Sequence, residues 1–370
     1  MSTAPRFTAC AALLLAAIAR PVSGQDSQFG ITGLGTPGHP ESVRSRSTGG
    51  AFAPFDPTSL LSEASLVEIG SLTASTASSA SYRDVEASGT STWLRGTRFP
   101  LFSLGGPLGR GGHLFVGGGF SSYLDRTYAV VTTGSMPLRG ITESYVDQIA
   151  SSGCVGDVRV GAALRVGPHV ALGLGVHLLP GSTRETATRQ FTDSATYAAV
   201  SQHALVRYEG LGVSGSVLLT LTPALAVTAF GRTDGTLSRH VGDTLTAQND
   251  LPRTVGGGLR WAPLANLRFA GSATWRSWSR TGTNAFNTLN WSVGGEFGGV
   301  TPVRLGVRGG QLPFGPGTGA PTEWGIAAGT GRGFARGRGH LDVGLERLAR
   351  DGGGLHERDW TVLVGMTIRP

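Results

Sequence analysis

The chain has 370 residues, 59 of them Gly, and carries a formal charge of +7. Gly is about twice its usual share of ~7%, and charged residues, at 15%, fall well below the usual ~25%. After the first 24 residues no apolar run is long enough for a membrane helix, which leaves a secreted β protein or an outer-membrane barrel.

Residues 1–24 read as a secretory signal. Arg6 supplies the positive start, "ACAALLLAAIA" the apolar stretch, and Val22-Ser23-Gly24 the small-residue cleavage site. Its apolar stretch is about half the ~20 residues a spanning helix needs. Removal takes Cys10 away and leaves Cys154 alone, so no internal disulfide is expected. Every basic residue is Arg. The arginines stand singly along strands of an exported chain, which argues against nucleic acid and for a polar lumen or lipid phosphates.

The next segment, 25–66, contains "SVRSRSTGGAFAPFDPTSLLSEASL". It is too rich in Gly and Pro for a strand, and too apolar at Phe52, Phe55, Leu60 and Leu61 for a free linker. "GLGTPG" at Gly33–Gly38 matches a dinucleotide fingerprint, but Pro37, His39 and Pro40 interrupt the helix such a site needs.

From residue 67 onward the pattern has period two. Val158, Val160, Ala162, Leu164 and Val166 oppose Asp157, Arg159 and Arg165. Leu172, Leu174, Val176 and Leu178 oppose His169 and His177 across the Gly167-Pro168 turn. Near the end, Leu341, Val343 and Leu345 oppose His340, Asp342 and Glu346. The last run sets Trp360, Val362, Val364, Met366 and Ile368 against Thr361, Leu363 and Arg369. Runs of about 10 residues suit tilted membrane strands. Arg, His and acids on the other face suit a wet or plugged lumen. Trp261 and Trp275 sit where interfacial aromatics belong.

Short joints fall at 104–112, 167–168, 222–224, 262–266, 298–300 and 335–337. Longer polar joints fall at 82–92, 134–153, 191–203, 241–250, 280–287, 313–321 and 350–357. Six short and seven long joints in alternation predict an all-β, transmembrane antiparallel β-barrel of about 14 strands, within a range of 12–16. Irregular backbone is allowed at membrane depth only inside protein or a wet cavity, so 25–66 reads as a plug in the lumen of a barrel formed by 67–370. Lumen-facing glycines leave room for it.

Catalytic signals are thin. No G-x-S-x-G elbow occurs. His169, His177 and His340 stand beside Asp157, Asp342 and Glu346, which reads first as a lumen network and second as half of a catalytic pair. Asp234, Asp243 and Asp250 fit no calcium-loop pattern, and no His/Cys cluster has zinc spacing. No cofactor or metal is expected.

Four stretches resemble the FadL/TodX family of outer-membrane transporters for hydrophobic molecules and its PorV-like relatives. "RSRSTGGAFAPFDPTSLLSEASL" is similar to the family's hatch. "GDVRVGAALRVGPHVALGLGVHLLPGS" resembles paired mid-barrel strands. "DLPRTVGGGLRWAPLANLRFAGSATWRSWS" is similar to a Leu-Pro strand start with a return strand ending in Trp-Ser. "VRLGVRGGQLPFGPGTGAPTEWGIAAGTGRGFARGRGHLDVGLE" looks like the late strands with their Pro-rich loop. The resemblance implies a 14-stranded barrel, an N-terminal hatch, and passive uptake of long-chain fatty acids or similar compounds, with exit through the wall. Two departures stand out. Ser62-Glu63-Ala64 replaces the family's Asn-Pro-Ala, and the apolar outer loops are reduced.

The reading is therefore a non-enzymatic uptake channel of a Gram-negative-type outer membrane. Its expected gate or ligand residues are Phe29, Ile31, Leu34, Phe52, Phe55 and Leu61. Its expected lumen network is Arg159, Arg165, His177, Arg304, Arg308, Asp342 and Glu346. Expected partners are membrane lipids and lipopolysaccharide, together with a hydrophobic small molecule. The alternative is a barrel that anchors secreted proteins, with a hydrolase third.

Overall fold

The computed structural model describes residues 27–87, 89–109, 111–282 and 284–370. The expected signal at 1–24 lies outside the described residues.

A two-residue strand, β1 (Thr36–Pro37), and a single helical turn, α1 (Val43–Arg46), precede the sheet. Then follow β2 (Thr73–Ala87), β3 (Thr90–Leu108), β4 (Leu114–Asp125), β5 (Tyr128–Leu138), β6 (Ile141–Val166), β7 (Val170–Leu178) and β8 (Gly181–Phe191). The middle of the chain forms β9 (Val200–Glu209), β10 (Leu211–Thr222), β11 (Leu225–Asp234), β12 (Thr236–Val241) and β13 (Thr244–Asp250). The rest are β14 (Arg253–Leu264), β15 (Leu267–Arg276), β16 (Thr288–Phe297), β17 (Val303–Gln311), β18 (Thr322–Phe334), β19 (Gly339–Gly352) and β20 (Leu355–Ile368).

Fourteen of these make a closed antiparallel wall in the order β2-β3-β4-β6-β7-β10-β11-β14-β15-β16-β17-β18-β19-β20. The last strand returns to the first, from Ala74 opposite Ile368 to Ala87 opposite Leu355. Closure removes the sheet edges that membrane burial forbids.

The wall is apolar on its outside. Val160 is 68% exposed and Leu174 73%, while Arg159 and His177 on the same two strands are 3% and 1% exposed. A water-soluble sandwich would bury the first pair and expose the second. The reversed arrangement is that of a barrel in hydrocarbon around a polar interior. Trp261 and Trp275 both face outward, at opposite ends of the wall.

Five of the six short joints lie where the pattern places them, and the first is shifted. Strand β3 runs to Leu108 before turning, so that turn begins later than 104. The long joints differ more. At 82–92, 134–153, 241–250 and 350–357 the strands continue through and close in two-residue turns. Longer connections remain at 192–199, at 277–282 and 284–287, with a 3-10 turn at Trp278–Thr281, and at 312–321. The strands β5, β8, β9, β12 and β13 continue wall strands past a break, and with the upper part of β6 they pair in the order β5-β6-β8-β9-β12-β13. Pro180 and Pro252, which lack a ladder donor, sit at two of these breaks. Six strands thus stand as a panel beyond one side of the wall.

Candidate functional site: the lumen segment and a gap in the wall

Residues 27–70 run along the inside of the wall and touch strands all round it. Ser42 caps α1 by accepting from the Ser45 amide at 3.1 Å. Asp56 is the hub of this segment. It accepts from the Ser42 hydroxyl, from Ser45 at 2.8 Å, and from both the amide and hydroxyl of Thr58 at 3.0 and 2.8 Å. Burial alone would push its carboxyl up, but Arg44 and these donors hold it below the usual carboxylate range.

Charge fixes the segment to the wall at three sides. Arg44 makes a two-bond contact with Glu296 on β16, at 3.0 and 3.2 Å. Arg46 pairs with Glu346 on β19. Glu63 meets Arg159 on β6 at 3.2 Å, and accepts from Ser214 and Ser216 on β10 at 2.6 and 3.2 Å. Burial raises the Glu63 carboxyl, and Arg159 with the Ser214 hydroxyl more than offsets this. Further out, the Ser27 hydroxyl and Gln28 amide donate to Glu357 on β20. Close approach depends on wall glycine: a Cβ on Gly306 would lie 2.0 Å from the Thr48 carbonyl carbon.

The expected lumen residues divide by partner. Arg159 pairs with Glu63, Arg165 donates to the Val67 carbonyl, and Glu346 bridges Arg46 and Arg308. Arg304 joins Glu296 and Asp342 at 2.9 and 2.5 Å. Asp157, read from the pattern beside His177, pairs with Arg232, and Arg232, Glu323 and Arg350, which pattern reading left out of the network, belong to the same web.

His177 lies between Asp157, 2.8 Å from Nδ1, and Ser214, 2.8 Å from Nε2. The order Ser–His–Asp is that of a hydrolase triad. The Ser214 hydroxyl, however, donates to Glu63 at 2.6 Å. A serine whose proton is held by a carboxylate is a tether for Glu63, not a nucleophile aimed at a substrate.

The expected gate residues fall into separate groups. Phe29 packs with Val85, Leu312 and Leu355. Leu34 packs against the largest apolar cluster of the far half, made by Leu124, Val155, Leu179, Tyr208, Leu251, Trp278 and Phe314. Ile31 is half-buried. Leu61 lines a cavity of about 70 Å³ beside Tyr123, His177 and Trp278. Phe52 and Phe55 lie apart, near the short-turn mouth, against Ala270 and under the Arg260 guanidinium. A cavity of about 550 Å³ opens there, lined by Arg44, Arg260, Arg268 and Arg304 with Asp56, Glu68, Glu296 and Asp342.

The wall itself has a gap. β3 pairs with β4 only from Leu101–Ser121 to Leu108–Leu114. Beyond this, Thr90–Pro100 of β3 bonds to β2 alone. The freed edge of β4 is taken by β1: Thr36 is opposite Asp125, Pro37 is opposite Leu124, and the Gly38 amide donates to the Tyr123 carbonyl at 2.9 Å. A Cβ on Gly38 would lie 1.9 Å from the Ser122 oxygen, so only glycine fits. Arg98 reaches across the gap to Asp125 at 2.7 Å. Leu124 and Tyr123 connect it to the far apolar cluster.

No protein-family model matches the chain, and no curated protein matches it. Solved structures do. A Pseudomonas aeruginosa FadL homologue aligns over 90% of this chain and 99% of its own, with TM-score 0.62 and 13% identity. The P. putida toluene transporter TodX aligns over 92% and 99%, with TM-score 0.58 and 14% identity. The CymD monoaromatic hydrocarbon channel aligns over 91% and 98%, with TM-score 0.57 and 13% identity. The fold is that of the FadL/TodX-type barrels.

Proposed function

We propose that the protein is an outer-membrane channel for passive uptake of hydrophobic small molecules of the long-chain fatty acid kind, gated by residues 25–66. The short turns would face the periplasm. The wall gap carries the reading. A hydrophobic molecule collected by the cluster around Trp278 and Phe314 finds ion pairs and an arginine-lined cavity below it. The adjoining way out is sideways, between β3 and β4, where β1 now sits. Displacing β1 would open a path into the bilayer without moving a barrel strand. The similar structures, a toluene transporter and a monoaromatic hydrocarbon channel, support a hydrophobic small molecule as the cargo.

A reversible lock tests this. Pro37 and Leu124 are register partners. Paired Cα atoms in an antiparallel ladder lie roughly 4.5–5.5 Å apart, within disulfide reach. In a Cys154→Ser background, Pro37→Cys with Leu124→Cys should block uptake of labelled fatty acid by liposomes when oxidised, and restore it on reduction. Equal uptake in both states would remove β1 from the gating role.

The six-strand panel favours a second reading, a barrel that holds a secreted protein. It replaces apolar capture loops with polar strands. Recovery of a secreted protein on the panel, with uptake no greater than empty liposomes, would decide for it.

A further inference from the structure

The lipid side of the wall carries a cationic row at its far rim. Arg95 on β3, Tyr82 on β2, Trp360 on β20 and Arg347 on β19 are successive register partners across four strands. The Arg95 guanidinium lies 5.1 Å from the Tyr82 ring centre, and Arg347 lies 4.8 Å from that of Trp360. Tyr82 stacks on Trp93 at 4.7 Å. One step outward, Arg358 stands opposite Asp84. Asp84 is the sole carboxylate in these two rows, and it accepts from Ser91 at 2.5 Å. Arg95, Arg347 and Arg358 make no ion pair among the described residues, whereas the arginines of the lumen network do.

Below the row, β2 turns Thr76, Ser78 and Ala80 to the lipid side, between Phe102 of β3 and Val364 of β20. These small side chains leave a trough about 13 Å long.

We propose that this face binds one phosphorylated, acylated lipid of the outer leaflet, with phosphate on Arg95, Arg347 and Arg358 and a chain along β2. Three unpaired guanidiniums at the edge of a hydrocarbon band call for an anion at that depth. Guanidinium forks match phosphate oxygens, and the rings of Tyr82 and Trp360 hold two of the forks in place. The site faces away from the lumen, so it stands or falls apart from the transport reading.

Native mass spectrometry of the full chain in detergent tests it, with bis-phosphorylated lipid A, its dephosphorylated form and inorganic phosphate as probes. One bis-phosphorylated lipid should bind per chain. Its affinity should drop roughly tenfold or more in Arg95→Gln/Arg347→Gln/Arg358→Gln, at about tenfold per 1.4 kcal/mol. Arg332→Gln, at the other end of the wall, should bind as the parent does. Ser78→Phe should weaken the lipid and leave inorganic phosphate unchanged. Should the triple variant misfold, Arg95→Gln alone should show a smaller loss. Equal binding of the dephosphorylated lipid, unchanged affinity in the arginine variants, or a second copy of the chain in place of lipid would each overturn the proposal.

Discussion

Leu174 and Glu63 define the two environments of this protein. Leu174 is 73% exposed on the outer face of β7, and Glu63 is fully buried within the wall. In hydrocarbon, Leu174→Arg should cost about 2–4 kcal/mol in folding from urea into lipid bilayers. In water, the same exposed change should stay within roughly 0.5 kcal/mol. A cost in that smaller range would refute the membrane assignment of this face. Glu63→Ala leaves Arg159 buried without its partner, a change that costs about 3–5 kcal/mol. The loss should appear as protease sensitivity within residues 27–66 while the barrel stays folded; Glu63→Gln, which keeps an acceptor for one of the two serines, should lose less. Glu41 sets the pH window. Burial raises its carboxyl, but His39, Arg308 and Arg46 bring it down to about 2. A lowered carboxylate stabilises docking fully above its ordinary pKa of ~4.5 and loses that contribution as pH falls toward the lowered value. Asp56 and Glu63 are lowered as well and act in the same direction. Protection of the segment should therefore hold from pH 8 down to about pH 5 and fail only well below ~4. Release already near pH 6 would point to histidine rather than carboxylate control.

At the scale of the element, legibility followed solvent. The strands β6, β7, β19 and β20 were readable because one face meets lipid and the other the lumen, so residue type alternates. The outer stretches "GSMPLRGITESYVDQIASSG" and "VGDTLTAQND" read as loops in the sequence because their alternation is weak. Both lie in hairpins that carry exposed residues on either side of the strand. Their turns are chemically plain in retrospect: Arg139-Gly140 has φ of 52° and 83°, and Gly242 has φ of 61°. Positive φ at both central residues, as at Arg139-Gly140, or at a glycine in the first of them, as at Gly242-Asp243, is the mark of a two-residue hairpin turn. Gly140→Val should strain that turn and raise amide exchange in β5 and the adjoining part of β6, while β4 and β7 keep their protection. Exchange spreading equally into β4 would mean that panel and wall fold as one unit.

Across the whole molecule, what the sequence could not show are the contacts that span it. The alternation predicted the barrel, its strand number and the inward arginines. Glu63 stood out only as a departure from a resembling motif, yet it joins the segment to β6 and β10 at once. The Arg98–Asp125 pair and the β1–β4 contact depend on which strands separate, and no local pattern records that. These long-range contacts also decide what the lumen does when empty. With the segment seated, wall arginines such as Arg159 are buried against it, and beyond the arginine-lined cavity at the short-turn mouth the spaces left are small. Fourteen strands enclose more room than their side chains fill. Deleting residues 27–60 removes β1, α1 and Asp56 while leaving the wall strands complete. In planar bilayers the full chain should show little ion current, because ion pairs occupy the lumen. The deletion should conduct steadily, since the exposed inner face is lined with arginine, acid and glycine. Fatty acid uptake into liposomes should change in the same variant. Current without any change in uptake would leave the segment as a stopper for ions, with the wall gap idle. No current in either form would mean that the wall collapses without its contents, and that the segment's main task is to hold the barrel open.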